Sequence, residues 1–391
     1  MGWKGALVEG PLWAVGQLFP AGIDPRRKAP RQILVLRPSD FGDLLTTTPL
    51  FEALRTRFPS SRIIAGIGGW GRAVVEHNPY VDEIVDIDAP WNNKIVPDRT
   101  LANAMRYIWR SPQIEALRAH GGIDVGIDVL GSHLGSLLMM RAGVRYRIGV
   151  RGYRGGWSAC QTHIEFSPKV HVGRAALAQA ELLGASVLPE VRPQLYLRDS
   201  ERSEAVRIWH AGAGPWHEPL RLVVGCAAGL PDKSWATDAM GAALREISQA
   251  LACRQQGVDI LIVGGAQDQH RAAEVIAASG LKSGIRSVAG QISLRTTFAL
   301  TEQASIVLTN PSMLLHVAAA FRRPTVAVVG GALPCAREHD VVWGYPPPYR
   351  SVGALDSVPG AFVQPWPTTD QVVRAVLQAA EECTRARSEI G

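Results

Sequence analysis

The feature that most constrains the fold is an alternation of strand and helix patterns that occurs twice along the chain. In each half, short runs rich in Ile, Val and Leu precede a polar turn, and a longer helical pattern follows. This rhythm predicts a mostly parallel sheet with helices on both faces. At 391 residues the chain exceeds one ordinary core. The sequence therefore predicts an α/β protein with two Rossmann-like halves.

The predicted halves are of similar size and flank a stretch with glycine and proline punctuation, interpreted as a linker. Strands are predicted at 32–36, 62–66, 83–86, 124–129, 147–150 and 194–197, then at 220–226, 259–263, 286–288, 306–308 and 325–329. The expected parts are an N-terminal extension, a first domain, the linker, a second domain and a last helix, at 1–30, 31–198, 199–218, 219–365 and 366–391. The two domains are expected to face each other across a cleft, since ligands prefer domain interfaces.

The first candidate site is the turn that runs from Arg37 to Asp43. It follows the apolar run Ile33–Leu36 and precedes a helical pattern. It therefore lies at the carboxyl end of a strand, where doubly wound sheets bind ligands. A phosphate cradle would favour neutral or basic groups at this point. The acidic Asp43 indicates instead a base or a partner for a sugar hydroxyl.

The second candidate site is the helix start that follows the strand at 306–308. Pro311 suits a first helical turn, and either Asn310 or Ser312 could cap it. The free N–H groups of residues 312–314 would then form a diphosphate site, with His316 one turn further on. On this pattern alone, a phosphate site and an ordinary capped helix with a packed histidine are equally supported.

Two further loops follow strands of the second half. Lys233 could neutralise a pyrophosphate leaving group, although an exposed surface lysine is the commoner situation. Gly265 allows close backbone approach, and Asp268 could accept a hydrogen bond from a sugar hydroxyl or merely begin the next helix. The GxGxxG, P-loop and GxSxG motifs are absent, which disfavours dinucleotide, P-loop and α/β-hydrolase chemistry.

Charge and cysteine content restrict the partners. The net charge of +6 and pI of about 9.2 suit an anionic ligand or a membrane surface, and no nucleic-acid-binding motif is present. The five cysteines are far apart and form no CxxC pair, so we expect reduced thiols, a cytoplasmic location and no zinc site.

The N-terminal segment contains apolar residues without reaching the length of a membrane span. Trp3, Leu7, Trp13 and Phe19 could form an interfacial face that holds residues 1–29 against a membrane. The alternative is a surface helix packed on the body of the protein.

Motifs in an ordered series resemble glycosyltransferase family 9, the heptosyltransferases of lipopolysaccharide core assembly. In the first half they are Arg37-x-Ser39-x-x-Gly42-Asp43, Asn78-Pro79-Tyr80-Val81-Asp82-Glu83, Ile127-Asp128-x-x-Gly131-Ser132 and Arg147-Ile148-Gly149. In the second half they are Lys233-x-Trp235, Gly264-Gly265, Ala289-Gly290-x-x-Ser293-Leu294 and Asn310-x-Ser312-x-x-x-His316. Each motif is weak alone, but the ordered set from about residue 31 to residue 335 is specific.

The resemblance implies a GT-B fold whose last helix crosses back to the first domain. It implies transfer with inversion from a nucleotide sugar, typically ADP-heptose, to a lipopolysaccharide core or other glycan, without a metal or a further cofactor. Asp43 matches the general base, and Lys233 would stabilise the departing diphosphate. The donor-side residues are Gly42, Lys233, Gly265, Asp268, Ser312, Met313, Leu314 and His316, and the acceptor-side residues are Arg37, Ser39, Asp40 and Arg151.

Two departures from the family pattern fall on the donor side. Pro311-Ser312-Met313 replaces an Asp-Ser-Gly or Asp-Thr-Gly run, and Ala228-Gly229 replaces threonines that often contact phosphate. They leave open a different donor, or a non-catalytic relative that binds nucleotide sugars. A GT-B-like epimerase is less consistent, because Pro311 replaces an acid that this class needs. A lipid-linked acceptor would place the protein at the inner face of the cytoplasmic membrane.

Overall fold

The computed structural model describes residues 3–19, 21–92, 96–188, 190–212, 216, 218–358, 361 and 363–388, with side chains from residue 8 to 385 apart from that of Asn92. The chain divides into two compact units, Met1–Gln194 and Leu195–Gly391. Each unit contains a six-stranded parallel sheet. This arrangement confirms the predicted α/β class with two Rossmann-like halves.

The first unit has the strand order β3-β2-β1-β4-β5-β6. Five of the six residues in β1 and in β2 are buried, as expected for parallel strands that are covered on both faces. The strands are β1 Gln32–Arg37, β2 Arg62–Ile67, β3 Glu83–Asp86, β4 Val125–Asp128, β5 Tyr146–Arg151 and β6 Thr162–Glu165. The helices are α1 Trp3–Gln17, α2 Phe41–Arg57, α3 Arg72–Val75, α4 Leu101–Arg110, α5 Pro112–Arg118, α6 His133–Arg141 and α7 Val172–Glu181.

The second unit repeats this topology with the order β12-β11-β10-β7-β8-β9. Its strands are β7 Leu220–Gly225, β8 Val258–Val263, β9 Ile285–Ser287, β10 Ile306–Thr309, β11 Thr325–Val328 and β12 Tyr349–Val352. Its helices are α8 Asp199–Ala211, α9 Thr237–Cys253, α10 Gln269–Ser279, α11 Leu294–Glu302, α12 Met313–Ala320, α13 Ala336–Trp343 and α14 Thr369–Ser388. Strand order reverses between β1 and β4 and between β7 and β10, which places a ligand crevice at each point.

The predicted linker is part of the second unit. Residues 199–211 form α8, whose Ala205 and Trp209 are buried in the same cluster as Val223 and Leu261 of the sheet. The division between units falls earlier, after Gln194, and the strand predicted at 194–197 is irregular. The segment looked like a linker because of its polar residues and glycines, but it forms a helix because one apolar face is buried against the sheet.

The last helix, α14, also packs within the second unit. Its residues Val372, Val376 and Ala379 are buried together with Leu244 and Ile247 of α9. The expectation that the helix also returns to the first domain stays a prediction. Its apolar stripe is used to cover one face of the second sheet.

Helix α1 packs on the first unit through Leu12, which is buried with Met140 and Ala159. Trp13 is 56% exposed, and Phe19 packs partly against the same cluster. Of the expected interfacial face, the side chains of Trp3 and Leu7 lie outside the described part. Within the described residues, no helix is long and apolar enough to cross a membrane.

Candidate active site

The first crevice contains the acidic residue that the sequence singles out. Helix α2 begins at Phe41, within the predicted turn, so Asp43 lies in its first turn. Arg37, the last residue of β1, is almost fully buried, and its Nη2 lies 3.4 Å from Asp43 Oδ1. The Asp43 side chain remains 31% exposed. The carboxylate therefore faces solvent with a buried cation behind it.

A second carboxylate, Asp128, lies at the end of β4 next to β1. Its oxygens accept hydrogen bonds from the N–H groups of Gly131 and Ser132, both at 3.0 Å. Burial raises the pKa of Asp128, while these two hydrogen bonds and the charge of Arg37 act in the opposite direction. A Cβ at Gly135 would overlap Asp128 Oδ2, so glycine is required for α6 to approach the carboxylate.

The other predicted acceptor-side residues differ in their burial and in their contacts. Ser39 is buried, and its Oγ has no hydrogen-bond partner among the described residues. Asp40 is the N-cap residue of α2. Arg151 lies at the end of β5, where its Nε is 3.0 Å from Glu165 Oε1. Gly42, predicted on the donor side, lies in the first turn of α2; the binding roles of all four residues stay predictions.

In the second unit, Asn310 fixes the loop that carries Lys233. The Asn310 side chain is fully buried; its Oδ1 accepts from the N–H of Trp235 at 2.9 Å, and its Nδ2 donates to the carbonyl of Gly225 at 3.3 Å. Of the two residues that the sequence offered as helix caps, Asn310 is therefore not the cap. It joins the carboxyl ends of β7 and β10 to the Lys233-x-Trp235 motif.

Arg271 of α10 provides a second tie that sequence reasoning missed. Its Nε donates to the carbonyl of Cys226 at 2.7 Å, and its Nη2 donates to the carbonyl of Trp235. Trp235 itself is buried. Lys233 is half-buried and pairs with no carboxylate among the residues that the structure describes. The loop thus presents a cation on a fixed backbone.

The predicted diphosphate site lies at the start of α12. Ser312 is the N-cap residue, but its side chain makes no capping hydrogen bond. Met313 and Leu314 form the first turn, whose N–H groups lack intrahelical partners by helix geometry. His316 is buried, with Nδ1 2.7 Å from Tyr345 Oη. The ring is therefore already engaged, and its donor-binding role stays a prediction.

Asp268 forms a hydrogen bond within its own loop. Its Oδ2 accepts a hydrogen bond from the Gly265 N–H at 2.8 Å, which stabilises the turn before α10. This contact favours the simpler of the two interpretations offered by the sequence, in which Asp268 begins the next helix. Donor binding by Gly265 and Asp268 stays a prediction.

Comparison with solved structures defines the fold class. The structure is similar to a glycosyltransferase family 9 protein from Veillonella parvula, with a TM-score of 0.73 and 17% identity over 90% of this chain and 98% of that one. It is also similar to the ADP-heptose lipopolysaccharide heptosyltransferase II of Escherichia coli, with a TM-score of 0.67 and 20% identity over 90% and 99% of the two chains. The fold is that of GT-B glycosyltransferases.

The sequence comparisons then show the family. The family model for glycosyltransferase family 9 (heptosyltransferase) matches residues 114–335, and the chain belongs to this family. Lipopolysaccharide heptosyltransferase 2 of Escherichia coli K12 is 24% identical over 316 residues, which cover 78% of this chain and 84% of that protein. The resemblance drawn from the motifs is thereby confirmed, and the protein is a glycosyltransferase.

Proposed function

We propose that this glycosyltransferase moves a heptose or related sugar from an ADP-sugar to a lipopolysaccharide core or other glycan, with inversion and without a metal ion. The observation that carries the proposal is the partly exposed Asp43 carboxylate, held beside Arg37 at the carboxyl edge of the first sheet. Relatives with a similar sequence are named lipopolysaccharide heptosyltransferases, and a solved structure of similar fold is named an ADP-heptose heptosyltransferase, which supports this donor and acceptor class.

In the proposed reaction Asp43 accepts the proton of the acceptor hydroxyl. The hydroxyl oxygen forms a bond to the anomeric carbon while the bond from that carbon to the diphosphate oxygen breaks. ADP leaves with the bonding electrons, and Lys233 with the start of α12 stabilises its negative charge. Displacement in a single step inverts the anomeric centre.

The base assignment is tested with Asp43→Asn. Removal of a general base should lower kcat by about 10²–10⁴-fold while ADP-heptose affinity stays close to that of the wild type. Asp199→Asn is the matched control, because its side chain is fully exposed. Equal loss of donor affinity and turnover in Asp43→Asn would show that Asp43 is not the base.

The donor is tested by thermal shift with ADP-heptose and with UDP- and GDP-sugars, because a ligand that binds the folded state raises its apparent stability. ADP-heptose should give the largest shift in wild type and a smaller one in Lys233→Ala. The exposed Lys282 supplies the control, Lys282→Ala. A larger shift with another nucleotide sugar would redirect the donor assignment.

We also propose that the N-terminal region contacts a membrane surface. Trp13, Leu18 and Ile23 are exposed, and the basic residues Arg26, Arg27, Lys28 and Arg31 follow them on the surface. Exposed apolar side chains beside a basic cluster suit anionic lipids. Substitution of Trp13 and Leu18 by serine should weaken sedimentation with anionic liposomes, and unchanged sedimentation would reject the contact.

A further inference from the structure

Two aromatic rings are stacked on the surface of the first unit, outside the site described above. Tyr153 follows β5 and Phe166 follows β6; their ring centroids are 4.6 Å apart at an interplanar angle of 30°. The two residues remain 43% and 42% exposed. Each ring covers part of the other, and the remaining apolar surface of both side chains is open to solvent.

Two arginines flank Tyr153 in this loop. The guanidinium of Arg154 lies 5.5 Å from the centroid of the Tyr153 ring. Arg151 lies 5.4 Å from the ring of Trp157 and is paired with the exposed Glu165. Tyr153, Phe166, Arg151 and Arg154 together are here called the aromatic platform. Its chemistry combines an apolar face with groups that bind carboxylate or phosphate.

Hydrogen bonds with buried side chains fix the loop that carries Tyr153. Glu9 of α1 accepts hydrogen bonds from the N–H groups of Gly156 at 2.7 Å and Ser158 at 3.1 Å. Ser136 Oγ donates to the carbonyl of Gly156 at 2.8 Å. Gly156 has φ of 87°, a conformation that favours glycine. A platform fixed in this way loses little conformational entropy when a ligand binds.

The platform lies on the ligand-binding edge of the sheet. The strand ends of β1 and β5, which precede Asp43 and Tyr153, are separated by two strand spacings, or about 10 Å at about 4.8 Å per step, and the end of β6 lies one spacing further. All strands are parallel, so the turns that bear Asp43 and Tyr153 share the carboxyl edge. A ligand that reaches both points must extend beyond a single sugar ring.

We propose that the aromatic platform is a subsite for an anionic sugar of the acceptor glycan, distal to the hydroxyl that reacts. The apolar C–H face of a sugar ring packs on Tyr153 and Phe166, while Arg151 and Arg154 bind its phosphate or carboxylate. The inference rests on the proposed function in taking the acceptor to be a charged glycan.

The test measures binding without donor, so that it does not depend on transfer. The probes are a phosphorylated core oligosaccharide, released from lipopolysaccharide by mild acid, and the same oligosaccharide after phosphatase treatment. Tyr153→Ala should raise the Kd of the phosphorylated probe about tenfold, equivalent to about 1.4 kcal/mol. Tyr153→Phe keeps the stack and should retain binding. Trp109→Ala, at an aromatic residue 51% exposed on α4, should bind like wild type.

The charge is tested separately. Wild type should prefer the phosphorylated probe, and Arg154→Gln should reduce that preference. In transfer assays, Tyr153→Ala should raise the KM for acceptor and leave the KM for donor unchanged. If wild type transfers sugar but Tyr153→Ala changes neither probe binding nor acceptor KM, the subsite is wrong and the proposed function stands.

The experiments also distinguish failure of the proposed function from failure of the subsite. If the phosphorylated probe binds in a Tyr153-dependent manner but no sugar is transferred from ADP-heptose, the subsite stands and the donor assignment fails. If wild type binds neither probe, the subsite proposal is overturned. Binding by all variants with equal affinity would place the oligosaccharide elsewhere on the protein and overturn it as well.

Discussion

Arg37 Nη2 lies 3.4 Å from Asp43 Oδ1, and this pair joins the end of β1 to the first turn of α2. Arg37 is 4% exposed at its side chain, whereas Asp43 is 31% exposed. A buried arginine that can reach the proposed base, but has little access to an acceptor, is better placed to position the carboxylate than to bind substrate. Its expected role as an acceptor-binding residue stays a prediction.

Arg37→Met should therefore lower kcat through misplacement of Asp43, by about 10²-fold, with the KM for ADP-heptose unchanged. Arg37→Lys keeps the charge but loses the planar guanidinium, and its kcat should lie between those of wild type and Arg37→Met. Arg62→Met removes one partner of Glu83 in a partly exposed pair and should leave kcat unchanged. Equal kcat values for Arg37→Met and wild type would exclude the positioning role.

Gly135→Ala tests the close approach of α6 to Asp128. The added Cβ would overlap the carboxylate, so we expect a loss of about 1–3 kcal/mol in the free energy of unfolding. Gly10→Ala is the matched control, because its Cβ would meet nothing within 4 Å in helix α1. Urea denaturation of both variants measures the difference, and equal stability would contradict the overlap.

The sheets could be predicted because their central strands are continuous apolar runs bounded by turns. The strand at Glu83–Asp86 was predicted to the residue. The edge strands β6 and β12 were missed, since none of their residues is buried and they are too polar to read as apolar runs. Residues 101–118 form two helices and not one, because Ser111 caps α5 and Pro112 occupies its first position.

The sequence predicted where the residues of the candidate site lie in the fold, but not which residues they contact. Strand-end geometry places Asp43 and Lys233 in the segments that directly follow β1 and β7. Pattern cannot show that Asn310 reaches the Trp235 backbone, because the two residues are 75 apart in sequence. The same holds for Glu9, which holds a loop 147 residues away. Such ties depend on tertiary packing, which single-sequence periodicity does not contain.

Thiol reactivity should follow burial. Burial raises the pKa of Cys160 to about 12 and that of Cys226 to about 11, so both remain neutral thiols at pH 8. Cys253 is exposed. Iodoacetamide at pH 8 should modify Cys253 first in the native protein, as read by peptide mass spectrometry. Rapid modification of Cys160 in Cys253→Ser would contradict its burial.

Asp128 should make stability depend on pH. Because burial raises its pKa above 3.8, the folded state holds the proton over a range where the unfolded state has lost it. Its favourable contribution is therefore full below pH 3.8 and is lost as pH rises through the folded-state pKa. The unfolding free energy of wild type minus that of Asp128→Asn should fall as pH rises from 4.5 to 8. A constant difference would contradict the raised pKa.

Asn310→Ala should loosen the Lys233 loop. It leaves the N–H of Trp235 without its buried partner, which costs about 1–3 kcal/mol in the free energy of unfolding. If the loop holds the donor diphosphate, the KM for ADP-heptose should rise more than the KM for acceptor. Trypsin should also cleave the bond after Lys233 faster than in wild type. Asn103→Ala, which removes a solvent-exposed hydrogen bond to the Asp98 carbonyl, is the control. Unchanged cleavage in Asn310→Ala would show that other contacts, such as those of Arg271, suffice to hold the loop.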